Sequence, residues 1–98
     1  MDFKISAAMV AKLETKHGIT PKEVAECFAN RAGRYFSDTR EEHQTDPPSY
    51  WFVAATDKGR ILKVVFVRYP TFYAIKTAYE PTDGSDRVYE QLCERFPL

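Results

Sequence analysis

At 98 residues, 44% of them hydrophobic, the chain has material for one core, and a single domain spanning 1–98 is expected. Seven Phe, six Tyr and one Trp supply that core and argue against global disorder. Lys+Arg and Asp+Glu number 14 each, so bulk electrostatics exclude a protein that grips nucleic acid by net charge, and any RNA contact needs a local patch.

In chain order, Ser6 and the AAMVAKLETKHG that follows predict a first helix. A hydroxyl cap precedes Met9, Val10 and Leu13 at helical spacing, and Gly18 can take the left-handed closing conformation. In ITPKEVAECFANR, Thr20 is the cap of a second helix, Pro21 sits at its first position, and Glu23 completes a capping box. Val24, Cys27 and Phe28 share its apolar face. His17 reads as a helix-end histidine facing carbonyls. Arg34 to Asp38 is a short strand candidate. A polar loop then carries Arg40, Glu41, Glu42, His43 and Asp46 to Pro47-Pro48.

Tyr50 to Asp57, Arg60 to Tyr69 and Phe72 to Glu80 are rich in aromatic and β-branched residues, and Lys58-Gly59 and Pro70-Thr71 separate them. From Asp83 to Phe96 the spacing of Val88, Tyr89, Leu92, Cys93 and Phe96 returns to helical, with Thr82 or Asp83 as cap. The expected class is α+β: two N-terminal helices, an antiparallel β-meander of about four strands and a C-terminal helix. No apolar run is long enough to span a bilayer, so the expected setting is cytoplasmic, with no membrane partner and with Cys27 and Cys93 as free thiols.

A two-residue Lys58-Gly59 turn would pair Asp57 with Arg60, set Val53 opposite Val64, and sort the side chains into two faces. Trp51, Val53, Val64, Phe66 and Ile75 would form the helix-covered face. The other face would carry Lys63, Lys76 and Glu80 on a floor of alanines beside Tyr50 and Phe52. There, Lys63 and Lys76 could hold a phosphate between them, and Glu80 could take a proton. Arg40 and His43 could swing in from the loop, one onto a phosphate oxygen and the other as general acid or base near neutral pH. The residue types in the acidic loop follow no metal-ligand spacing, and no metal or cofactor is expected. So apolar a face needs a cover: a partner, a second copy of the chain, or the terminal helix.

The order of elements, with KHGIT leading into VAECFANR, then YWFVAATDKGRILKVVFV and IKTAYEP before a final helix, resembles the BrnT toxin family of the RelE-like ribonucleases. The likeness spans most of the chain. It implies a metal-independent endoribonuclease of a type II toxin–antitoxin pair, partnered by RNA and an antitoxin protein. In that family the last strand carries an arginine; Tyr79 stands at that position here and joins Glu80, His43, Lys63 and Lys76 as a catalytic candidate. Arg60, from the Gly59-Arg60 hairpin signature, joins Arg40, Tyr50 and Phe52 as a substrate-binding candidate. A second reading of the residues is a non-catalytic module that docks a protein partner through the lysine-bearing sheet face.

Overall fold

The structure, a computed structural model, describes residues 2–37 and 47–98. It is an α+β domain with a five-stranded mixed sheet. Strand β1 (Asp2–Lys4) leads into helix α1 (Ala7–Lys12), which continues as a π-helical turn over Leu13–His17. Helix α2 (Pro21–Asn30), strands β2 (Phe36–Ser37), β3 (Ser49–Ala55), β4 (Ile61–Arg68) and β5 (Phe72–Tyr79), and helix α3 (Ser85–Arg95) follow. The sheet order is β1-β5-β4-β3-β2, antiparallel except where β1 lies parallel to β5. Among the described residues no helix is long and apolar enough to cross a membrane.

The caps of the first two helices form as their sequences require. The Met9 N–H donates to Ser6 Oγ at 3.1 Å, and Gly18 closes the π turn at φ 62°. At α2, Glu23 N–H donates to Thr20 Oγ1 at 3.2 Å, and Thr20 N–H donates to Glu23 Oε1 at 3.1 Å. Helix α3 starts differently: Gly84, at φ 85°, occupies the cap position, and the Asp83 carboxylate accepts from the Ser85 N–H at 3.0 Å. Strand β1 is an addition to the expected meander. Three residues are too short for a period-two pattern, and its placement follows from pairing with Phe72, Tyr73 and Ala74 and from the Phe3 ring stacking on Phe28 at 5.0 Å.

Two local devices change the expected faces. The β3–β4 loop holds three residues, Asp57-Lys58-Gly59: Thr56 N–H donates to Arg60 O at 2.8 Å, and Gly59, at φ 85°, donates to Thr56 O at 2.9 Å. Helix α2 holds this loop in place, because Asn30 Nδ2 donates to Ala55 O and Asp57 Oδ1 while Asp57 N–H donates to Glu26 Oε1. The ladder therefore closes at Ala55–Ile61 and puts Val53 opposite Lys63, one residue away from the expected register. A one-residue slip exchanges every side chain of the strand between faces. The second device is a bulge. Arg68 pairs with Tyr73 as expected, but beyond Phe66–Ile75 the pairing resumes at Val65–Thr77, which leaves Lys76 as the extra residue.

The expected helix-covered face is consequently split. Val64, Phe66 and Ile75 share the α1/α2 side with Tyr50 and Phe52, whereas Trp51 and Val53 share the α3 side with Lys63 and Val65. On the first side Phe28 of α2 packs on Phe52 at 4.8 Å and on Phe66 at 5.6 Å, and Tyr35 joins both. On the second side Tyr89 of α3 packs on Trp51 and Phe36, both at 5.6 Å. The residues expected on one open face are therefore divided: Phe52 is covered by Phe28 of α2, while α3 covers the Trp51 side.

Candidate functional site

The corrected register redistributes the candidates. Lys63 is only 5% exposed, its ammonium 4.7 Å from the Trp51 ring centroid and 5.6 Å from that of Tyr79, so it does not pair with Lys76 across an open face. Lys76 sits partly exposed in the bulge. Phe52 is fully enclosed beneath α2 and is a core residue, not a substrate contact. Arg40 and His43 lie outside the described residues.

Arg60 is engaged on every side. Its Nε donates to Glu80 Oε1 at 2.8 Å, its Nη1 to Gly18 O at 2.8 Å and Glu23 Oε2 at 3.1 Å, and its Nη2 to His17 O at 2.9 Å. The Nη2–Glu80 Oε1 separation is 2.7 Å. The planar guanidinium suits this fork, and two carboxylates, Glu80 foremost, raise its pKa further. Burial pushes Glu23 up, but the Thr20 N–H and the Arg60 cation together hold its carboxyl below the usual value. Arg60 is thus a clasp, fixing the carbonyl end of the π turn to the hairpin and to the end of β5.

The clasp has a geometric consequence. It sets the His17 ring 6.1 Å from the Tyr79 ring and shapes a cleft of about 310 Å³ lined by Lys16, His17, Tyr79, Glu80 and Thr82. The Tyr79 hydroxyl donates to Asp83 Oδ2 at 3.3 Å, and Asp83 Oδ1 also accepts from the Ser85 hydroxyl. That Ser85 bond, with the Lys63 charge and the Tyr79 hydroxyl, holds the Asp83 carboxyl below its usual pKa despite partial desolvation. The buried ammonium, the phenol and the carboxylate therefore form a connected wall behind the cleft. In front of it a histidine, a lysine and a carboxylate supply a proton exchanger, a cation and an acceptor.

Of the sequence candidates, Tyr79 and Glu80 line this cleft, Lys63 lies behind Tyr79, and Tyr50 belongs to a different pocket at the other end of the sheet. Sequence reasoning assigned His17 and Asp83 to helix ends and passed over Lys16 and Ser85 as site residues. The Lys16-His17-Gly18 run was the available signal, since a helix closed by glycine presents its last side chains at a fixed place. Its partner segment, Tyr79 to Thr82, is remote in sequence and has no spacing rule. Among the described residues no three His, Cys, Asp or Glu side chains gather as a metal site. No protein-family model matches the chain, and no curated protein matches it.

Proposed function

We propose that the chain is a metal-independent endoribonuclease of the BrnT-like toxin kind, restrained by an antitoxin protein, with its reaction centre at the Lys16–His17–Tyr79–Glu80 cleft. The observation that carries this reading is the convergence of a histidine, a lysine, a tyrosine and a carboxylate from two distant segments in one cleft. Cleavage within RNA needs only these groups: His17 takes the 2′-hydroxyl proton, the 2′-oxygen attacks phosphorus, and Lys16 faces the charge that grows on the phosphorane oxygens. As the bond to the 5′-oxygen breaks, the Tyr79 hydroxyl exchanges its 3.3 Å bond to Asp83 for one to the leaving oxygen and delivers its proton there, and the Lys63 ammonium beneath the ring offsets the resulting negative charge. Glu80, held by Arg60, orients the substrate as an acceptor.

The test is cleavage of naked and ribosome-bound RNA by purified protein in the presence of a chelator. His17→Ala and Lys16→Ala should each lose about 100-fold in rate with an unchanged melting temperature, and Tyr79→Phe should lose a comparable factor. A wild type without cleavage, or cleft variants as active as wild type, overturns the reading.

A further inference from the structure

A second pocket, about 510 Å³, opens at the far end of the sheet, where β4 turns into β5; Pro47, Pro48, Tyr50, Arg68, Tyr69 and Pro70 line it. Its volume is within the range of small-molecule sites. The walls are prolines and tyrosines, flat and apolar, and no carboxylate is among the described residues that line it. Arg68 is exposed, and its guanidinium lies 5.5 Å from the Tyr50 ring centroid and 5.9 Å from that of Tyr73. Among the described residues no carboxylate bonds it. Tyr69, 36% exposed, is already stacked on Phe72 at 4.9 Å with an 18° interplanar angle, so the ring is held without an ordering cost to a ligand. Lys4 adds a second cation at this end, 4.4 Å from the Phe72 ring centroid.

A flat apolar wall beside an exposed, preoriented cation fits a ligand that is both planar and anionic. A nucleotide has those properties: the base continues an aromatic stack while the phosphate meets the guanidinium. A proline-rich peptide would use the aromatic walls but would leave Arg68 without a counterpart. We propose that this pocket is a nucleotide-binding subsite for single-stranded RNA, with Tyr69 stacking a base and Arg68 contacting a phosphate. The inference rests on the RNA-cleaving reading above and extends it. Strand β5 runs from Tyr73, opposite Arg68, toward Glu80, a span of about 23 Å at about 3.3 Å per residue, which sets the distance an RNA held here would have to bridge over the surface to enter the cleft.

The test is binding of a short 2′-O-methyl oligoribonucleotide, which cannot be cleaved, followed by anisotropy over a series of salt concentrations. Tyr69→Ala should weaken binding about tenfold. Arg68→Ala should weaken it and reduce the salt slope by about one, and Arg68→Lys should restore the slope but not the full affinity. Both sites are exposed, and thermal melts check that the variants fold. Equal binding by wild type and all three variants overturns the inference, as does binding of a proline-rich peptide in place of RNA. Cleavage that persists with an unchanged KM in Tyr69→Ala and Arg68→Ala removes the subsite and leaves the nuclease reading intact. Pocket-dependent binding without any cleavage removes the nuclease reading and leaves the subsite.

Discussion

The two sides of the sheet solve burial differently. Beneath α1 and α2 the interior is a dry aromatic cluster in which Phe28 touches Phe52, Phe66 and Tyr73, and Phe52, Leu62, Val64 and Phe66 have no exposed surface. On the α3 side the same strands bury Lys63 beside Trp51 and Tyr79, with the Asp83 carboxylate before the helix near enough to feel its charge. The first side contributes stability by apolar burial. The second spends part of its burial on charge, and a buried charge is retained only where a partner satisfies it. The proposed reaction centre lies at the second, beside the edge where the π turn meets β5.

The comparison breaks most visibly with Phe66→Ala. On the dry side it should cost about 3–5 kcal/mol in denaturant unfolding, through lost burial and the cavity left among fixed rings. A loss near zero would mean that the aromatic cluster is not the stabilising side. The clasp is next: Arg60→Ala leaves Glu23 and two carbonyls without their cation, and should cost about 2 kcal/mol while also lowering the proposed cleavage, because His17 loses its anchor. Arg60→Lys should recover only part of either effect, since one ammonium cannot reproduce the fork.

Gly33 tests how closely the second side is packed. A Cβ there would sit 2.7 Å from the Tyr89 hydroxyl and would also meet Cys93 Sγ, and Tyr89 is the residue whose hydroxyl donates to Arg34 O at 2.7 Å. Gly33→Ala should therefore cost about 1–2 kcal/mol by overpacking and loosen α3, which hydrogen exchange would report.

Acid provides a smaller effect. The folded pKa values of Asp83 and Glu23 are lowered, so the stability they contribute is present at neutral pH and is lost as pH falls through those lowered values. The melting temperature should drop below the ordinary carboxylate range, and Asp83→Asn should flatten that drop. The smallest effect distinguishes the thiols: burial, with the nearby Glu23 and Glu26, pushes Cys27 up to about 12, so an alkylating agent at neutral pH should label Cys93 and spare Cys27 until the protein unfolds. Above the ordinary thiol range stability should decline, because the unfolded chain releases the Cys27 proton first.

The caps of α1 and α2 were legible because capping is decided within four residues: Ser6, Thr20, Pro21, Glu23 and Gly18 act on their own turn. Strand existence was legible from the β-branched and aromatic runs, and the Arg68–Tyr73 pairing from the Pro70 turn between them. The faces were not. A three-residue loop in place of a two-residue one rests on Asn30 and Glu26 of α2 reaching the hairpin, contacts between residues 25 and 31 apart in sequence. The bulge at Lys76 lets Tyr79 stand beside Lys63, and no local rule marks it.

What the sequence determined by itself, then, was the set of elements and the residues that end them, since propensity, capping and turn chemistry are short-range. Tertiary structure alone decided that Lys63 is buried, that Arg60 is a clasp, and that His17 faces Tyr79. Those outcomes depend on register, and register is a property of two strands and the helix that holds their turn, so no single segment carries it.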